Sequence, residues 1–282
     1  MKLNKLNKKH VFFLTIVLLL FFYWQNNHIT VSKYSYRNIK IPIEFNRFKI
    51  VHVSDLHNKS FGKNQEYILK KISQSSPDII VVTGDLIDRR KYDLDTALTF
   101  IEGAMDIAPV YYASGNHEAW SGKYENIRKE LTRYGVEVLD DTKVEITRHN
   151  SKIEILGVTD PAFLTSGYLD GLDTSNISKK LNEMKQDNVF QILLSHRPNL
   201  IDIYSKENID IIFSGHAHGG QFRIPGLGGL ISPDQGLIPK YTSGSHSMDN
   251  STIYISRGLG NSIIPIRIFN RPELIVVTLQ NP

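Results

Sequence analysis

The chain has 282 residues, 41% hydrophobic and 22% charged, which suits one large domain or two small ones with a full core. Its net charge of +4 resides in Lys2, Lys5, Lys8 and Lys9; the remaining 29 Lys and Arg face 29 Asp and Glu, and so neutral a body predicts no nucleic-acid partner. With no cysteine there is no disulfide, thiolate ligand, thiol nucleophile or lipoprotein anchor, so any metal must rest on His, Asp, Asn and Glu.

The four lysines precede Val11–Trp24, an apolar run broken only by Thr15. Positive before apolar predicts an amino terminus in the cytoplasm and the rest exported. Fourteen helical residues reach roughly 21 Å, short of the ~30 Å hydrocarbon core, so a cleaved signal peptide competes with a membrane span, and a core helix of a soluble domain is a third reading. Gln25-Asn26-Asn27-His28-Ile29-Thr30 offers no pair of small residues for cleavage, while Leu3, Leu6, snorkelling lysines and a Tyr23-Trp24 belt extend the segment. An uncleaved signal anchor over residues 1–24 is the favoured reading, with secretion after cleavage as the alternative. No Arg occurs before Arg37, which excludes a twin-arginine signal. Residues 25–45 read as a polar tether that becomes an edge strand near Pro42, and 46–282 as one catalytic domain.

From Phe48 onward, β-type runs end in polar tips: Lys49–Asp55, Asp78–Asp85 and Val110–Asn116. Helical patterns over Gln65–Gln74 and Asp95–Ala104 lie between them. Strand, polar tip, helix, strand is the α/β rhythm, which gathers functional residues beyond the carboxyl ends of the strands. Val144–Thr147 and Lys152–Thr159 predict a hairpin, and Phe190–Ser195, Ile209–Ser214, Thr252–Ser256 and Leu274–Leu279 add strands.

The polar tips carry Asp55-Leu56-His57, Gly84-Asp85, Gly115-Asn116-His117-Glu118, Ser195-His196 and Gly215-His216-Ala217-His218. Each alone has a plain explanation: a solvated loop tip, a turn, a helix cap. The His-Ala-His block is the strongest, because two imidazoles one residue apart amid glycines forgo core packing. Asp, Asn and His together at successive strand ends are the ligand mix of a two-metal hydrolytic site. His52, inside a strand, reads as packed rather than ligating, Glu118 as a helix start, and Arg257 equally well as a loop anchor.

The order D-x-H, G-D-x-x-D, G-N-H-E, H, G-H-x-H resembles the calcineurin-like metallophosphoesterase superfamily over residues 48–280. The Gly215–Gln221 run, Ile238-Pro239-Lys240-Tyr241 and Ser256-Arg257-Gly258-Leu259-Gly260 are similar to its bacterial membrane-associated or exported branch, some members of which are named as hydrolases of UDP-2,3-diacylglucosamine-type substrates. The resemblance implies a four-layer α/β/β/α sandwich, here behind an N-terminal anchor helix. It implies one metal on Asp55, His57, Asp85 and His218 and a second on Asp85, Asn116, His196 and His216, with Asp85 bridging through an oxygen toward each. It also implies His117 as the residue that stabilises phosphate charge or protonates the leaving group, and Asp88 as the residue that orients it. Arg89, Asn116 and His117 are candidates for substrate contact. Nitrogen and oxygen donors without sulfur suit two ions of Mn, Fe, Zn or Co. The implied reaction is in-line attack by a hydroxide bridging the metals on a phosphodiester or pyrophosphate, including a lipid-linked one. The alternatives are a phosphomonoesterase or nucleotide esterase on the same site, or a catalytically silent metal-stabilised surface-binding protein.

Overall fold

In the computed structural model, residues 7–165, 173–261 and 265–282 are described. The chain runs as helix α1 (Lys8–Asn27), strands β1 (Thr30–Arg37) and β2 (Lys49–Val53), α2 (Glu66–Ser75), β3 (Ile79–Thr83), α3 (Leu94–Met105), β4 (Val110–Ala113), α4 (Asn116–Trp120), α5 (Tyr124–Arg133) and β5 (Glu137–Val138). There follow the hairpin β6 (Thr142–Arg148) and β7 (Ser151–Gly157), then α6 (Ser175–Met184), β8 (Phe190–Leu194), α7 (Ile201–Lys206) and β9 (Ile211–Ser214). Four two-residue strands, β10 (Arg223–Ile224), β11 (Gly228–Gly229), β12 (Ile231–Ser232) and β13 (Gly236–Leu237), precede β14 (Gly244–Met248), β15 (Ser251–Ile255) and β16 (Glu273–Gln280).

Two six-stranded sheets result, ordered β1-β16-β2-β3-β4-β5 and β14-β15-β9-β8-β7-β6. Their central strands are parallel and, in β3, β8 and β9, buried at every residue, as expected of strands covered on both faces. The sheets meet through Ile50 and Val81 of one, with Phe45 and Phe48 from the segment before β2, and Ile155, Phe190, Ile192 and Phe213 of the other. The i, i+4 stripes of α2 (Ile68, Ile72) and α5 (Ile127, Leu131), with Ala97 and Ile101 of α3, cover the first sheet; Ile177 and Leu181 of α6 and Ile201 of α7 cover the second. This is the α/β/β/α layering that the resemblance implies. Every strand and helix expected between Phe48 and Leu279 forms.

The amino-terminal expectations change. Helix α1 is longer than the apolar run, and its 20 residues reach about 30 Å, the thickness of a hydrocarbon core. Only Gln25 of α1 is buried, which excludes a core helix. Lys2, Leu3, Lys5 and Leu6 lie outside the described residues. Residues 25–45 are not a tether: α1 continues to Asn27, and the edge strand comes earlier than Pro42, as β1 pairs parallel with β16 from Thr30↔Glu273 to Arg37↔Gln280. Burial drives the change, because Ile29, Tyr36, Ile41 and Phe45 all pack into the domain and leave no slack chain.

Phe213 is fully buried between the sheets, 5.1 Å from the His52 ring and stacked on Tyr254 at 5.7 Å. Phe213→Ala is expected to lower unfolding free energy by about 3–5 kcal/mol in urea titrations, while Ile39→Ala, at an 83% exposed position, stays within about 0.5 kcal/mol.

Candidate metal centre

The carboxyl ends of β2, β3 and β4 in one sheet and of β8 and β9 in the other open onto one polar seam. Each chain must turn sharply there to present a side chain, and the backbone registers it: Asp55, His57, Asp85, His216 and His218 all have positive φ, between 46° and 64°. Non-glycine residues adopt this left-handed region at a cost and keep it where surrounding structure demands it. The loops touch closely enough to require glycine at Gly84 (φ 75°), where a Cβ would strike the Gly115 backbone.

Two groups of donor atoms converge. In the first, His57 Nε2 lies 3.1 Å from His218 Nε2 and 3.9 Å from Asp55 Oδ1, and His218 Nε2 lies 3.3 Å from Asp55 Oδ1. In the second, His196 Nε2 lies 3.1 Å from both Asn116 Oδ1 and His216 Nδ1. Asp85 joins them, with Oδ2 3.6 Å from His57 Nε2 and 3.3 Å from His196 Nε2. Its Oδ1 instead accepts the His117 backbone N–H at 2.8 Å. A single oxygen therefore faces both groups, where one oxygen toward each was expected, because the start of α4 claims the other.

The seam fits divalent cations. Ligand atoms about 2.0–2.2 Å from a metal sit about 3.0–3.5 Å from one another, close to the spacings here. Partners behind the rings free the converging nitrogens: His196 Nδ1 donates to Thr83 O at 2.7 Å and His216 Nε2 to Asp234 Oδ2 at 2.7 Å, so His196 Nε2 and His216 Nδ1 face the cluster. His57 Nδ1 and His218 Nδ1 have no hydrogen-bond partner among the described residues.

Electrostatics of the metal-free seam agree. Burial pushes the Asp55 carboxyl up to about 6 against the pull of His196. Burial works against a charged His196 too, yet Asp85 and Asp55 lift it to about 10. Burial and the neighbouring His117 bring His57 down to about 3. A bound cation would take over the charge that His196 now supplies to the buried acids, and it would meet His57 already as a neutral base.

Beside the first group lies His117, its ring 4.5 Å from that of His57. Its Nδ1 is 3.1 Å from Arg89 N and 3.5 Å from Asp88 Oδ1, and Asp88 is held in turn by Arg90 at 2.9 Å. Burial opposes charge on His117, but Asp85 and Asp88 outweigh it and raise its pKa.

The family model of calcineurin-like phosphoesterases matches residues 48–220. The chain belongs to the calcineurin-like phosphoesterase family. It is 28% identical over 268 residues to the metallophosphoesterase YkuE of Bacillus subtilis, covering 92% of this chain and 88% of that protein. Phosphodiesterase YaeI of Escherichia coli is 27% identical over 241 residues, 82% of each chain. A Danio rerio transmembrane protein with a metallophosphoesterase domain is 27% identical over 86% of this chain and 55% of its own length. Among solved structures, the phosphopantetheinyl hydrolase of Mycobacterium tuberculosis shares the fold at TM-score 0.50 and 13% identity, over 76% of this chain and 91% of that one. As a member of the calcineurin-like phosphoesterase family, the protein is a metal-dependent phosphoester hydrolase.

The seam brings together all seven residues expected to hold metal, with His117 and Asp88 alongside. Arg89 meets His117 through its backbone, while its guanidinium stacks over Trp120 at 4.9 Å. His52 is packed as expected, bonded to Thr83 Oγ1 at 2.8 Å, and Arg257 anchors a loop through Glu273 at 3.0 Å. Other residues escaped the sequence reading. Fully buried Glu118 accepts the backbone N–H groups of Asp85 at 2.7 Å, Gly115 at 2.9 Å and Ile87 at 3.3 Å, tying two ligand loops together; its capping-box spacing from Gly115 was the available signal. Asp234, the one acid in the Gly226–Gly244 loop, reaches His216 and also Arg197, which is buried and paired with Asp160 at 2.8 Å.

Two outcomes follow. Glu118→Gln can keep one oxygen on the Asp85 and Gly115 amides, which share Oε2, but then turns its NH2 toward the Ile87 N–H and gives up the carboxylate charge; metal affinity is expected to fall about 10-fold in chelator competition. The folded pKa of Asp55 lies above its ordinary 3.8, so in the metal-free protein its contribution to stability is full below about pH 4 and lost above about pH 6, where the carboxylate that takes a cation prevails. The rise in Tm on adding Mn should therefore grow between pH 5 and pH 7; an equal rise at both would contradict it.

Proposed function

We propose that this phosphoesterase cleaves phosphodiesters or pyrophosphates close to a membrane, by means of two divalent ions held on Asp55, His57, Asp85 and His218 and on Asp85, Asn116, His196 and His216. The observation that carries the reading is Asp85 Oδ2 facing both donor groups. When bound, the two ions supply Lewis-acid charge and an acidified water. The donors suit Mn, Fe, Zn or Co.

The chain's own groups do the rest. His117 Nδ1 is turned toward Asp88 Oδ1 at 3.5 Å and lies 3.1 Å from Arg89 N, so Nε2 is the atom left to donate a proton to the departing oxygen or to hold phosphate charge. Asp88, whose carboxyl lies well below its usual range as hydrogen bonds from His117 and Arg90 outweigh burial, stays ionised to orient that ring. Asn116 offers a neutral oxygen near the substrate. A diester is favoured by the name of the relative YaeI, a phosphodiesterase.

Helix α1, apolar, exposed and about 30 Å long, is read as an uncleaved anchor spanning the membrane with residues 11–24 as its apolar core, the amino terminus cytoplasmic and the catalytic domain, β1 included, outside. Anchorage favours a lipid-linked ester, UDP-2,3-diacylglucosamine-like in chemistry.

The full chain in detergent, metal-stripped and refilled with Mn, Zn or Mg, is to be assayed with bis-p-nitrophenyl phosphate and p-nitrophenyl phosphate. The diester should be the faster substrate, Asp85→Asn should abolish turnover, and His117→Ala should lower kcat about 10²–10⁴-fold with metal content unchanged. Faster monoester turnover would give the phosphomonoesterase reading; no turnover by folded, metal-loaded protein would favour a silent binding protein.

A further inference from the structure

The carboxyl-terminal turns of α1 lie against the domain. The Phe21 ring meets that of Phe269 edge-on at 5.8 Å, Asn26 Oδ1 accepts Arg267 N–H at 3.0 Å, and the Arg271 guanidinium stacks over Trp24 at 4.4 Å. Phe21 precedes the end of α1 by six residues, about 9 Å along the axis. Phe269 therefore sits at a depth that α1, as a membrane span, places at or below the interfacial level of Tyr23 and Trp24.

An apolar surface continues from there. Ile266 and Phe269 are 42% and 53% exposed. Ile268 bridges to Phe222, and from that joint the β10–β11 hairpin presents Leu227, 76% exposed. Ile238 N–H donates to Leu230 O at 2.9 Å and ties the β12–β13 hairpin alongside, with Leu237 and Ile238 78% and 79% exposed. Ile238 is β-branched at φ 53°, so an apolar side chain is held in solvent by a backbone that resists it. A strip of this kind marks an interaction surface. At the end of α1, Lys70 and Lys71 join Tyr23 and Trp24 around a cavity of about 400 Å³, cationic and aromatic as an anionic headgroup layer requires.

We propose that Ile266–Phe269 and the two hairpins between Arg223 and Leu237, with Ile238, form a second membrane contact, seated in the interface of an anionic bilayer beside α1. The contact reaches the metal centre: Asn270, next to Phe269, donates to His218 O at 2.7 Å and Gln221 O at 2.9 Å. The seam is thereby held at headgroup level. This inference rests on α1 being a membrane span.

The cysteine-free chain permits a direct test. Single substitutions Leu227→Cys, Ile238→Cys and Phe269→Cys, with Val17→Cys inside α1 and Ile39→Cys beyond the far end of β1, are labelled with an environment-sensitive fluorophore. The full chain is placed in phosphatidylcholine–phosphatidylglycerol vesicles with or without doxyl-labelled lipid. Labels at 227, 238 and 269 should be blue-shifted and quenched severalfold more than at 39. Quenching at 17 with 227, 238 and 269 matching 39 overturns the second contact and leaves the anchor intact; no quenching at 17 either removes both. A blue shift without doxyl quenching marks a protein partner, a second copy of this chain included, and overturns the proposal equally.

Discussion

Removing a carboxylate from water as completely as Asp85 has been removed costs several kcal/mol unless cations and hydrogen bonds replace the lost solvent. Asp55 and Glu118 are fully buried in the same seam, so the demand is compounded. Backbone amides meet part of it: His117 N–H binds Asp85, His216 N–H binds Asp55 at 3.1 Å, and three amides bind Glu118. The remainder falls to His196, which Asp85 and Asp55 keep protonated in the metal-free protein. Metal loading would exchange that proton for a cation.

The constraint explains the fold's use of strain. Asp55, His57 and Asp85 come from the first sheet, His196, His216 and His218 from the second, so the seam exists only while the two sheets are packed in register. Left-handed turns at the strand ends are tolerated because they are tied across loops: Asp55 N–H to Gly84 O at 3.1 Å, His57 N–H to Asp85 O at 3.0 Å, Gly215 N–H to His196 O at 3.1 Å. Behind them, His52, Thr83 and Phe213 connect the seam to the core between the sheets. The donor groups are thus preorganised by packing that begins several residues away.

Most of this architecture can be read in the chain because its signals are local. Runs such as Ile79–Thr83, apolar at nearly every position, declare strands buried on both faces, and the polar residues after them declare where those strands end. Features that depend on distant partners do not announce themselves. β1 has a half-polar pattern, and its partner β16 lies some 240 residues away. Glu118 does stand in the first turn of α4, as its sequence reads, but nothing local shows that the Asp85 amide donates to it. Asp234 stands in a Gly- and Pro-rich loop whose path no periodicity sets. The sharing of one Asp85 oxygen between two groups is likewise invisible, because the other oxygen is claimed by a backbone amide from another loop.

The central claim is that one carboxylate oxygen couples two metal positions. Electron paramagnetic resonance of the Mn-loaded full chain tests it most directly. The account predicts an exchange-coupled signal in the native protein that gives way to isolated-ion spectra in Asp85→Asn. Isolated-ion spectra from native protein loaded to two ions per chain, or undiminished coupling in Asp85→Asn, would contradict it.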